Sequence, residues 1–218
     1  TTPVVAMNAV FLGGLRYETR ENNGINNFMA SMLTKGTQTR TALEIATEIE
    51  SIASSLDGFS GQNSFGMTAK VLKRYFNEGL ELMADILLHP SFDAEELEKE
   101  RADILAAIQR QEDDLSHYTF KLYARTLYTR HPYGMDVLGT PENVRRITRQ
   151  DLIDYYRSYA VTKNLVMGVV GDVNPEMVID KVKRIFGDFP NPSFNPPEVP
   201  QENFPTEIQV KEENQEKN

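Results

Sequence analysis

Residues 22–37, NNGINNFMASMLTKGT, constrain this chain more than any other stretch. Ile25, Phe28, Met29, Met32 and Leu33 fall at i, i+3, i+4, i+7 and i+8, so they form one apolar face of a short α-helix. The opposite face carries Asn27, Ala30 and Ser31, which are small or neutral. Gly24 precedes the pattern and Lys35-Gly36-Thr37 ends it. A helix this short is stable only when its apolar face packs on other elements, so the rest of the chain must supply a core around it.

The chain provides one. Of its 218 residues 40% are hydrophobic, enough for a single large domain or a domain with a tail. Residues 4–12 read as a buried strand ended by Gly13-Gly14. Thr41 with Glu44 forms a capping box for a helix whose expected core stripe is Leu43, Ala46, Ile49, Ile52 and Ala53. Residues 55–61 and 64–72 read as two strands joined at Gly61-Gln62-Asn63. Helical periodicity follows over 76–88, stopping before Pro90. A long helix is capped by Asp93 with Glu96 and runs through Glu98, Arg101, Ile104 and Ile108, and a further helix spans about 117–128. Thr140-Pro141, Thr148 with Asp151, and Asn174-Pro175 each mark a helix start; residues 165–170 form a continuous apolar strand. This order predicts an α+β fold with a mostly antiparallel sheet packed by helices. Residues 1–190 are expected to form one lobe. Residues 191–218 are expected to be a Pro-rich linker and an acidic tail, with six of the eleven prolines in 190–205 and a disordered end, KEENQEKN.

Composition narrows the function. A net charge of −9 argues against nucleic-acid binding, which needs a basic footprint, and no window reaches the length of an apolar membrane span. The absence of cysteine excludes disulfides, thiolate zinc sites and cysteine nucleophiles but leaves the compartment open, periplasm and cytoplasm both being compatible. The first residues enter a strand directly, so the chain is expected to be a piece of a longer polypeptide, with any secretion signal outside it.

Four motifs in register carry a resemblance. Residues 24–37 resemble the active-site helix of the M16 peptidases (the pitrilysin, insulinase and mitochondrial processing peptidase family), where active members read H-F-x-E-H-M and then K-G-T. Residues 97–108, LEKERADILAAI, resemble the second signature, E-x-E-R-x-V-I-L-x-E. His131-Pro132-Tyr133-Gly134 with Leu138-Gly139-Thr140, and Val169-Val170-Gly171-Asp172-Val173, are similar to later segments of the same family. The resemblance covers roughly residues 5–190. It implies an M16-like α/β roll, and it places Asn27 and Ser31 at the two His ligands, Ala30 at the Glu base and Ala107 at the distal Glu ligand. All four positions lack the chemistry that a zinc peptidase requires, so no metal and no catalytic residue is expected in this chain.

The resemblance further implies a catalytic half elsewhere, in the same polypeptide or in a separate subunit, that carries zinc and closes with this half around a peptide substrate. The Pro-rich exit favours the fused arrangement. Asp57, Gly58, Phe59 and Ser60 align with the edge strand that pairs with extended substrate in active halves, and are the candidate substrate contacts. Two other readings stay open on the residues: an M16-derived scaffold subunit with no peptidase partner, and a hydrolase with an unrecognised metal site.

Remaining chemistry is thin. His89 and His131 read as capping or packing residues and His117 as part of a solvated helix face. Glu95, Glu96, Glu98 and Glu100 read as a solvated face, and Met29, Met32, Met67 and Met83 as core. Ser60, Ser64 and Ser116 lack a nucleophile elbow, and the glycine pairs lack a P-loop ending.

Overall fold

A computed structural model describes residues 3–213. Four strands, β1 (Val4–Leu12), β2 (Ser55–Ser60), β3 (Ser64–Leu72) and β4 (Leu165–Gly171), form one antiparallel sheet in the order β2-β3-β1-β4. Eight α-helices accompany it among the described residues: α1 (Ile25–Met32), α2 (Ala42–Ser51), α3 (Phe76–Leu88), α4 (Ala94–Glu112), α5 (Leu115–Leu127), α6 (Pro141–Arg146), α7 (Arg149–Tyr159) and α8 (Pro175–Phe186). The expected α+β class, with its antiparallel sheet packed by helices, is what the chain adopts.

The core lies between one face of the sheet and the helices. On β1, Val5, Met7, Ala9 and Phe11 are fully buried and alternate with half-buried neighbours, because successive side chains of a strand point to opposite faces. The register pairs Phe11 with Phe65, whose rings stack at 5.2 Å. Met29, Met32, Met67 and Met83 all lie in this core. The strand at 4–12 is therefore buried on one face rather than both. On β4 the outward residues Val166 and Val170 are 69% and 72% exposed, which shows that the helices line a single face.

The helix starts read from the sequence hold in detail. Thr41 with Glu44 and Thr148 with Asp151 make reciprocal capping boxes, while Thr140 and Asn174 cap helices that begin with proline. Asp93 accepts from the amides of Glu95 and Glu96. The fifth helix starts two residues earlier than its periodicity suggests, because Asp114 caps it by accepting from Ser116 and His117.

Three expectations need correction. On α2 only Ile45 is buried, with Ile49 packed against the core, while Ile52 is the half-buried C-cap; Leu43 is 76% exposed, Ala46 faces water and Ala53 lies beyond the helix with φ 48°. A helix with few core contacts can rotate its stripe by one residue, and only the packing decides which. Glu100 is not solvated: its side chain is 13% exposed and pairs with Lys35 at 3.0 Å. His117 is not free either, since its Nε2 lies 3.1 Å from Asp136 Oδ2.

After α8 the chain has no regular secondary structure through residue 213. Part of the expected disordered end, 214–218, lies outside the described residues. No helix among the described residues is long and apolar enough to cross a membrane.

Candidate functional site

The site is assembled around α1. Its start is held by Glu18, 4% exposed, whose carboxylate accepts from the amides of Gly24 (2.8 Å) and Asn26 (2.9 Å) and from Asn23 Nδ2 (2.8 Å). These amides belong to the group that a helix N-terminus leaves without internal partners, and a carboxylate there also complements the helix dipole. Burial pushes the Glu18 carboxyl up to about 7, against the lowering effect of its hydrogen bonds, the Gly24 amide foremost. Gly24 itself has φ 97°, a left-handed conformation that glycine adopts without strain.

Asn26 ties α1 to the sheet. It is 1% exposed; its Oδ1 accepts from Gly14 N (3.1 Å) and Tyr155 Oη (3.4 Å), and its Nδ2 donates to Ser60 Oγ (2.6 Å). β2 then crosses close over the helix. A Cβ on Gly58 would stand 2.5 Å from the carbonyl oxygen of Ala30, so this approach requires glycine. Asp57, Gly58, Phe59 and Ser60 thus lie on an edge strand packed against α1, with Asp57 exposed and the other three half-buried.

On α1, Asn27 and Ser31 are half-buried and Ala30 is buried; Ser31 Oγ donates to the carbonyl of Phe28 (2.9 Å). Asn27 and Ser31 are one turn apart and share a face. α4 packs alongside and carries Ala107, half-buried, between the buried Ile104 and Ile108. Two contacts fix this pairing: the Arg101 guanidinium lies 5.2 Å from the centre of the Phe28 ring, and Lys35 reaches Glu100. Arg101 also donates to the carbonyl of Val144. Of the eight residues singled out from the sequence, Ala30 and Gly58 are brought into direct backbone apposition, and Ala107 sits on the helix neighbouring Asn27 and Ser31.

His89 and His131 do cap: His89 ends α3 with its Nδ1 3.1 Å from Asp85, and His131 Nδ1 accepts the amide of Tyr133. Sequence reasoning missed Glu18 and Asn26. It also missed Asp85, which gathers Thr37, Arg40 and His89. Their partners are close in space but only partly in sequence.

The sequence model of Insulinase (Peptidase family M16) matches residues 1–141, and that of the Peptidase M16 inactive domain matches residues 146–218. The chain belongs to peptidase family M16. It is 31% identical over 175 residues to the human mitochondrial-processing peptidase subunit beta, covering 80% of this chain and 36% of that protein. It is 32% identical over 181 residues to the uncharacterized zinc protease YmxG of Bacillus subtilis, covering 83% and 44%. Among solved structures, a peptidase M16 inactive domain from Pseudomonas fluorescens superposes with TM-score 0.85 at 18% identity, over 92% of this chain and 49% of that one. A protease from Helicobacter pylori superposes with TM-score 0.83 at 20% identity, over 93% and 49%. The chain spans less than half the length of these relatives.

The zinc implied by the M16 family does not fit the residues present at the aligned positions. Asn27 and Ser31 are poor zinc donors, Ala30 and Ala107 have no donor atom, and Ser31 Oγ is engaged with Phe28. Among the described residues no three His, Cys, Asp or Glu side chains group to hold a metal.

Proposed function

We propose that this chain is the non-catalytic half-domain of a two-half M16 zinc endopeptidase. It walls the peptide chamber and docks on the zinc-bearing half, which stands in the same polypeptide or in a separate subunit. Residues 1–190 form the working lobe and 191–218 the linker and tail. Asp57, Gly58, Phe59 and Ser60, on the edge strand over α1, face extended peptide. What supports this reading is that the four positions the M16 resemblance aligns with the metal site are Asn27, Ala30, Ser31 and Ala107, which lack its ligands and base, while α1 packs on β2 and α4. Loss of one ligand is compatible with drift in an enzyme, whereas loss of both ligands, the base and the distal ligand leaves structure as the selected property.

Two measurements test it. The purified chain should hold no stoichiometric zinc and cleave no peptide, and a complex with an H-x-x-E-H half found in its flanking coding sequence should hydrolyse peptide only when both are present. A chain that retains about one zinc and cleaves peptide in a chelator-sensitive way overturns the reading. The alignment is tested by the combined change Asn27→His, Ala30→Glu, Ser31→His and Ala107→Glu. With the helical fold verified by circular dichroism, zinc affinity should appear; zinc binding no tighter than in the starting chain overturns the placement of Ala107.

A further inference from the structure

A cavity of about 620 Å³ opens beside the turn that follows β1 and is lined by none of the four vestigial positions. Its walls collect cations from separate segments: Arg16 and Arg20 after β1, Arg125 on α5, Arg130 beyond it, and Lys211 near the end of the described chain, with His131 beside them. In a chain of net charge −9 this concentration runs against the composition. The lining carboxylates offset only part of it. Glu18 is taken up by the start of α1, and Glu213 by Arg125 and the Tyr118 hydroxyl, leaving Glu198. Arg16, Arg20, Arg130 and Lys211 form no ion pair among the described residues. Arg16 Nε is shut off from solvent and has no hydrogen-bond partner among them. A nitrogen closed to solvent is closed to a cavity ligand as well, so what Arg16 offers the cavity is the outer end of its guanidinium, which makes no hydrogen bond among the described residues.

The ligand chemistry is visible at the rim. Glu202 accepts from the amides of Arg130 (2.8 Å) and His131 (3.0 Å) and from Thr129 Oγ1 (3.0 Å), which hold its carboxyl down at about 2, the His131 amide contributing most. Glu213 is gripped nearby as described. An extended segment of this chain thus already lays two glutamates on this surface. His131 is kept neutral by burial first and by the Arg16 charge second, against the pull of Glu202. Because its Nδ1 accepts the Tyr133 amide, the neutral ring carries its proton on Nε2 and adds an uncharged donor to the cavity lining.

We propose that this cavity is a carboxylate-recognition subsite for an acidic, extended peptide, gripped by Arg16 and Arg130. Arginine suits the task because its planar fork meets a carboxylate through two parallel hydrogen bonds. Cations drawn from several segments line separate walls, which matches spaced carboxylates along a peptide better than one compact anion. The inference rests on the chamber-wall reading only for the peptide's origin.

Fluorescence anisotropy with the labelled peptide Gly-Glu-Glu-Glu-Gly and its Gln analogue tests it on the full chain. The acidic peptide should bind about tenfold or more tightly than the amide analogue, and added salt should weaken it. Arg16→Gln and Arg130→Gln should each weaken it by about tenfold, the loss expected for a charge-assisted hydrogen bond. Arg130 is exposed, so its variant keeps the fold even where the Arg16 variant does not. Equal binding of the two peptides, no binding of either, or insensitivity to both substitutions overturns the proposal. Inorganic phosphate binding more tightly than the peptide, with the same arginine dependence, overturns the peptide assignment. A chain that binds the acidic peptide yet docks on no catalytic half refutes the chamber-wall reading and leaves this inference standing.

Discussion

The α1–β2 region and the arginine-lined cavity lie on the same lobe and share Glu18, yet they treat their polar groups in opposite ways. Around α1, Glu18, Asn26 and Ser31 all have internal partners. Around the cavity, Arg16, Arg20 and Arg130 are left without ion pairs among the described residues, and Arg16 Nε has no partner of any kind there. Buried polar groups that satisfy one another fix a framework; arginines at a cavity wall that form no ion pair stay available to a partner.

That contrast can be broken most sharply at Glu18. Glu18→Ala strips acceptors from two buried amides and the Asn23 side chain, and should cost about 3 kcal/mol, read as a lowered denaturant midpoint at unchanged slope. A cost below ~0.5 kcal/mol would mean that the start of α1 does not depend on this carboxylate.

A pH titration of stability examines the same group. The folded-state pKa is raised from 4.5 to about 7, so the folded state holds the proton more tightly. Its contribution is fully present below about pH 4.5 and is lost as pH rises through about 7. Stability of the starting chain should therefore fall by up to a few kcal/mol across that window, and Glu18→Gln should remove that part of the slope. A starting chain and variant with parallel profiles would show that folding leaves the Glu18 carboxyl unshifted.

Gly58→Ala should cost roughly 1–3 kcal/mol, because the added methyl meets the Ala30 carbonyl and β2 must lift from α1. Hydrogen exchange should then accelerate in β2 and α1 before the rest of the sheet. Uniform acceleration would show that the two elements are not coupled through this contact. The smallest effect belongs to the cavity: Arg130→Gln should leave stability within about 0.5 kcal/mol, since its side chain makes no ion pair within the described chain. A larger loss would place Arg130 in the framework and erase the distinction between the two regions.

The sequence by itself determined most of the elements. Capping boxes at Thr41 and Thr148, prolines at helix starts and the period of residues 25–33 are local signals, each spanning a few residues, and the structure realises them. The identities of Asn27, Ala30, Ser31 and Ala107 are read from the sequence directly, and their alignment with a metal site is what the resemblance implies. Only the tertiary structure decided which face of α2 is buried, that Glu100 pairs with Lys35, and that Arg16 and Arg130 meet in one cavity. Those outcomes depend on contacts between residues tens to over a hundred positions apart. Such contacts are set by how helices settle on the sheet, and no local pattern encodes that geometry.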